Sequence, residues 1–164
     1  MAPMVMLGAR PAVLLASVVL ALSVLTGCGG ADQPVGRVAE AIVAGDYQVT
    51  VTKMENPAER PDRFTSPKIG NRFVKFEVTV ANTGLQHLPV FASHFTLKDS
   101  GGIDNPPRVD ISGDKIIKQT SLGPGQRTEG VIYFEMAANQ TPTQLVFAPG
   151  VVGWRTRVTV NLAP

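Results

Sequence analysis

From Tyr47 onward, apolar and polar positions alternate with a period of two. In "YQVTVTKM", Tyr47, Val49 and Val51 share one face and mostly polar residues the other, which predicts a half-buried strand. "RFVKFEVTV" repeats the pattern more cleanly, with Val74, Phe76, Val78 and Val80 inward and Lys75, Glu77 and Thr79 outward. "FASHFTLKD" puts Phe91, Phe95 and Leu97 on one face with Ser93. "VIYFEM" and "TQLVFA" predict two more strands, the first with Ile132, Phe134 and Met136 on one side. "WRTRVTVNL" closes the series, with Trp154, Thr156, Val158, Val160 and Leu162 on one side and Arg155, Arg157, Thr159 and Asn161 on the other.

Turn chemistry separates these runs. "ANTGLQHLPV" is built from Asn82, Gly84 and Pro89, and Asn82 can bond the backbone two residues on. Pro124 presets φ and Gly125 accepts a positive φ, which predicts a type II turn. "NPP" at Asn105 to Pro107 kinks the chain, and a short run, "DKIIKQTSL", lies between Gly113 and Gly123. Segment 55–70 carries Pro57, Pro61 and Pro67, which exclude a central strand or a long helix and leave a functional lip or an edge loop. About seven short strands with almost no 3.6-residue period predict an all-β fold, an antiparallel immunoglobulin-like β-sandwich over 46–164.

Residues 28–45 are rich in Gly and small side chains and read as a flexible tether. Within it, "VGRVAEAIVAGD" spaces Val35, Val38, Ala39 and Ile42 roughly as a helix would. A short helical turn and an extended lead-in to the first strand are both open, and the lead-in is favoured.

The N-terminal segment has a different pattern. Arg10 and the free amine form a positive end, Pro11 breaks the chain, and Ala12 to Leu25 are apolar or small without interruption. As a helix this run spans about 21 Å, short of the roughly 30 Å hydrocarbon core, so residues 1–27 read as an export signal rather than a membrane span. It ends in "LTGC", which contains the only cysteine, Cys28. The stretch resembles the bacterial lipobox. That resemblance implies a diacylglyceryl thioether on Cys28, cleavage between Gly27 and Cys28, and a lipid anchor on the extracytoplasmic face of the cell membrane. Two or three acyl chains, at about 0.8 kcal/mol per buried methylene, hold a protein at a bilayer almost irreversibly.

Composition changes little beyond this. Lys and Arg number 15 against 13 Asp and Glu, and removal of residues 1–27 deletes only Arg10. Charges of both signs are dispersed with no basic run, which argues against a nucleic-acid partner. With Cys28 acylated, no thiol remains for a disulfide.

"GNRFVKFEVTVANTG", "FTLKDSGG", "LGPGQRTEGVIYFEM" and "TQLVFAPG" together resemble the telokin-like, immunoglobulin-related domain of exported and lipid-anchored bacterial proteins. Leu122, Pro124, Gly125, Gln126, Gly130, Ile132 and Phe134 occupy that family's motif positions. The stretch from "IDNPPRVDISG" to Trp154 is also similar to the mycobacterial immunoprotective extracellular protein family. The resemblance implies export and a β-sandwich, and it carries no reaction.

Candidate chemistry is sparse. Ser112 and Lys115 have the Ser-x-x-Lys spacing of penicillin-recognising acyl enzymes, but the partner motifs are missing. His87 and His94 lack a third ligand in register, so they read as surface or turn histidines and no metal site is expected. Asp99, Asp104, Asp110 and Asp114 do not fit a calcium loop and read as solvated turn carboxylates. Trp154 with Phe73 or Tyr47 could line a recognition patch, although core packing is the commoner fate of such residues. No cofactor and no catalytic residue are expected. The favoured function is a non-catalytic module contacting an envelope or host protein. The alternatives are a carrier of a small or lipidic molecule between the two sheets and, last, an enzyme.

Overall fold

The computed structural model describes residues 33–150 and 156–162. Its strands are β1 (Val35–Arg37), β2 (Ala41–Ala44), β3 (Tyr47–Glu55), β4 (Asn71–Asn82), β5 (Leu88–Val90), β6 (Phe95–Asp99), β7 (Asp104–Asn105), β8 (Thr120–Leu122), β9 (Arg127–Ala137), β10 (Pro142–Phe147) and β11 (Val158–Asn161). They form two main sheets, ordered β1-β11-β10-β6-β7 and β2-β3-β4-β9, with β5 and β8 paired separately.

The period-two pattern becomes the sandwich core. Val74, Phe76, Val78 and Val80 of β4 lie beside Val49 and Val51 of β3 and Ile132, Phe134 and Met136 of β9, in one buried cluster with Leu97, Leu145, Phe147, Val158 and Val160 of the opposite sheet. Tyr47 meets Phe147 across the two sheets, edge to face at 5.2 Å between ring centroids. Burying each side chain of this kind contributes roughly 1.5–3 kcal/mol.

Strand registers define two ends of the sandwich. β1 starts beside the start of β11, with Val35 opposite Thr159, and Phe147 at the end of β10 lies opposite Val158. Tyr47, which touches Phe147, lies opposite Asn82 at the end of β4, and Ala81 lies opposite Arg127 at the start of β9. This entry end therefore carries turns 45–46, 83–87 and 123–126. At the far end, β3 stops opposite the start of β4, and β9 stops where Ala138–Gln140 turn into β10. Loop 56–70 leaves from there.

The immunoglobulin-like sandwich class agrees with the sequence reading, and the details correct it. Among the described residues there are eleven strands rather than about seven, because short segments of two to four residues also pair. The sheets are not wholly antiparallel, since β1 pairs with β11 in parallel. Residues 35–44, read as the end of the tether, form β1 and β2, and Ile42 and Ala44 are buried in the core. Alternation is only local there, and the Ala39 amide bonds the Val51 carbonyl at 2.7 Å where the chain crosses from one sheet to the other. Ala92–His94 form a 3-10 turn, so Phe91 and Ser93 fall outside β6, which begins at Phe95.

Both predicted turns are present. Gly84 N donates to Asn82 Oδ1 at 2.9 Å, while Asn82 Nδ2 donates to the carbonyls of Gln86 and Leu122. Gly125 has φ +71°, and Gln126 N closes the turn onto the Gly123 carbonyl at 3.0 Å.

The edge of β9 is not left open. The Ile117 amide bonds the Val131 carbonyl, the Val131 amide bonds the Lys115 carbonyl, and the Arg108 amide bonds the Tyr133 carbonyl. A Cβ on Gly130 would come within 2.6 Å of Ile117 Cα, so glycine is what lets this strap approach the strand. Covering an edge in this way removes a template for intermolecular pairing.

Candidate functional site

The outward residues of β3, β4 and β9 form a polar surface that two loops partly cover. Lys75 bonds Glu55 at 2.6 Å, and Lys53 bonds Glu55 at 2.8 Å. Beyond them a groove of about 510 Å³ is lined by Thr52, Glu77, Thr79, Asp114, Lys115 and Glu129. A second groove, of about 240 Å³, lies between Pro61, Lys75, Ser112 and Tyr133 and shares Asp114 and Lys115 with the first.

Beside the second groove, Glu135 ties two loops to the sheet. Its side chain is only 8% exposed. Oε1 accepts from the Lys68 amide at 2.9 Å and from Asn71 Nδ2 at 2.8 Å, and Oε2 pairs with the Arg108 guanidinium. Arg108 also grips Asp110 through two hydrogen bonds of 2.8 and 2.6 Å and lies over the Phe73 ring, 5.5 Å from its centroid. Phe73 in turn packs edge to face against Tyr133 at 6.2 Å. Burial pushes the Glu135 carboxyl up, but the hydrogen bonds from Asn71 and the Lys68 amide and the charge of Arg108 outweigh it, so the group ionises below its ordinary value. The Arg108 hydrogen bonds hold Asp110 down to about 2. Burial raises the Tyr133 phenol.

This clamp fixes loop 56–70 and the segment after Pro107 on one carboxylate. Arg72 reinforces it, donating to Asn56 Oδ1 at 2.7 Å and to the carbonyls of Ala138 and Gln140. Inside loop 56–70, Asp62 accepts from the amides of Phe64 and Thr65, both at 2.7 Å. Phe64, Ile69 and Val109 stand exposed on these two loops, with the Arg63 guanidinium over the Phe64 ring at 4.6 Å.

Among the described residues, those singled out by sequence do not assemble into a reactive site. Cys28 and Trp154 lie outside the described residues. Ser112 and Lys115 are exposed in a turn-rich stretch and both line the second groove, without a helical turn between them. His87 is exposed, whereas His94 is half-buried against Phe91 and Phe147, with no partner for Nδ1 and its pKa lowered by burial. Asp104 pairs with Lys98, and Asp114 lines the grooves. Asp99 is not a solvated carboxylate: it is buried and accepts from the amides of Gly101 and Ile103 and from Asn105 Nδ2. The β-turn that follows β6 folds back over it. Phe73 and Tyr47 are both buried, and the Tyr47 hydroxyl donates to the Pro89 carbonyl at 3.0 Å. Among the described residues, no three His, Cys, Asp or Glu side chains converge as a metal site.

The clamp had no legible signal. Glu135 sits between Phe134 and Met136 in the polar phase of β9, where a solvated glutamate is the ordinary expectation, and Arg108 is remote in sequence.

No curated protein sequence matches the chain. Among solved structures, the secreted protein MPT63 of Mycobacterium tuberculosis superposes with a TM-score of 0.62 at 16% identity, covering 80% of this chain and 99% of that one. The yjhA protein of Bacillus subtilis gives 0.59 at 20% identity, covering 78% and 99%. The ycdA protein of the same organism, provisionally described as a lipoprotein, gives 0.61 at 19% identity over 77% of this chain, which spans only 38% of that larger one. These superpositions show a shared β-sandwich fold, in line with the expected likeness to a mycobacterial secreted protein. The model for the Domain of unknown function (DUF4352) matches residues 37–157, which run from the end of β1 to the start of β11, and the chain belongs to that family.

Proposed function

We propose that the protein is a lipid-anchored, extracytoplasmic and non-catalytic module that binds an envelope or host protein through the clamped loops on the outer face of the β2-β3-β4-β9 sheet. The observation that carries this reading is the Glu135 clamp. It holds two loops in place while Phe64, Ile69 and Val109 remain in water. Loops that bind are commonly held by a rigid scaffold, and an aromatic anchor fixed in advance loses little entropy on contact. The carrier alternative needs room between the sheets. Among the described residues that space is occupied by Tyr47, Phe76, Phe95, Phe134 and Phe147, and the two grooves lie outside it. The anchor rests on Cys28 and its lipobox, and the secreted and lipoprotein relatives in fold are in keeping with it.

Photo-crosslinking from position 109, exposed on the neighbouring clamped loop, in intact cells, followed by mass spectrometry, tests the partner reading. One stoichiometric protein partner, lost in a Phe64→Ser, Ile69→Ser double variant, is the expected result. Co-purified lipid without a protein partner would favour the carrier. Cys28→Ser is expected to move the protein out of the membrane pellet.

A further inference from the structure

The strand registers carry a consequence for how the protein stands on its membrane, given the Cys28 anchor proposed above. β1 begins at the entry end of the sandwich, at Val35. Six residues lie between Cys28 and Val35, so the seven Cα-to-Cα steps reach at most about 25 Å even when fully extended. Acyl chains on Cys28 therefore confine the entry end to within about 25 Å of the lipid headgroups.

What that end displays suits such a surface. The 83–87 turn is fastened to its neighbours: the Thr83 amide bonds the Asp46 carbonyl at 2.8 Å, and the Asn82 amide bonds the Gln126 carbonyl at 2.9 Å. Leu85, at its tip, is 86% exposed, and Val35 is largely exposed nearby in the topology. Arg127 at the start of β9 and Arg157 just before β11 are exposed at the same end, with Asp46 as the acidic residue of its turns and Glu129 exposed two residues further along β9. A fastened leucine at the same end as two arginines matches the apolar and anionic layers of a phospholipid surface. Loop 56–70 leaves the opposite end, where β3 stops and β4 begins.

We propose that the lipid bilayer is a second binding partner of the folded domain, contacted by the Leu85 turn with Arg127 and Arg157, so that the clamped loops point away from the membrane. The turn dips into the headgroup layer and the anchor supplies the affinity. The seat supplies the orientation.

The test uses the full lipidated protein in vesicles of phosphatidylcholine and phosphatidylglycerol. Leu85→Cys and, separately, Phe64→Cys are labelled with an environment-sensitive fluorophore, acylated Cys28 being unavailable to the dye. A blue shift and loss of aqueous quenching at position 85, with position 64 unchanged, is the expected result. Equal water access at both positions in protein that pellets with the vesicles would overturn the seating and leave the anchor intact. Protein that does not pellet would overturn both.

Discussion

Along β9 the inward residues Ile132, Phe134 and Met136 alternate with the outward residues Val131, Tyr133 and Glu135, and the two sets stabilise the protein by different means. Inward, the side chains join a cluster contributed by both sheets, and no single contact decides its shape. Outward, one carboxylate receives two loops through directed hydrogen bonds and an ion pair. Non-directional burial distributes its effect over many residues, whereas a directional clamp concentrates it at one. The lesson is that the inner face specifies the sandwich and the outer face specifies where its loops are held.

The most severe way to break the contrast is from within. Phe134→Ala should cost about 3–5 kcal/mol, because it removes a fully buried ring packed at 5.6 Å against Phe76, and urea denaturation should show it. On the outer face, Glu135→Ala should cost about 1.5–3 kcal/mol and leave the sheets formed. Hydrogen exchange should then show lost protection of the Lys68 amide and little change in the centre of β4. Equal loss of protection in both would mean that the two faces are not separable.

Gly130→Ala tests the strap at the β9 edge. Its Cβ meets Ile117 backbone, so a cost of about 1–3 kcal/mol is expected, with increased self-association by light scattering as the edge opens. Acid should act on both polar networks. Burial raises Asp99, but its hydrogen bonds from Asn105, Ile103 and Gly101 leave it below its ordinary value, as with Glu135. A carboxyl that ionises more readily folded than unfolded stabilises the fold at neutral pH and loses that contribution as pH falls through its folded value. Stability should therefore decline from about pH 5 toward pH 2, and Glu135→Gln should flatten part of the decline in thermal melts. Phe64→Ser should change stability by less than about 0.5 kcal/mol, since its ring packs against little besides Arg63, while abolishing the crosslinked partner.

Much of the fold was legible. Period-two runs in β3, β4, β9 and β11 assign the inward residues they name correctly, because a long strand repeats its signal until one face is plain. The bulge after Val51, however, turns Met54 onto the core against that alternation. Asn82 and the Pro124–Gly125 turn were equally readable, since their side chains or backbone freedom act within a few residues. Short elements were not: β1, β5, β7 and β8 have two or three residues each, too few for a period to emerge.

By itself, the sequence determined the all-β class, the inward faces of the long strands and the turn chemistry, because each depends on neighbours along the chain. Its lipobox-like "LTGC" also stands independently of the fold. Only tertiary structure decided that Asp99 is buried, that residues 35–44 join the sandwich, and that Glu135 gathers Lys68, Asn71 and Arg108. The partners of Glu135 lie 27 to 67 residues away in the chain, and the geometry that makes a carboxylate a clamp rather than a solvated charge exists only once the strands have paired.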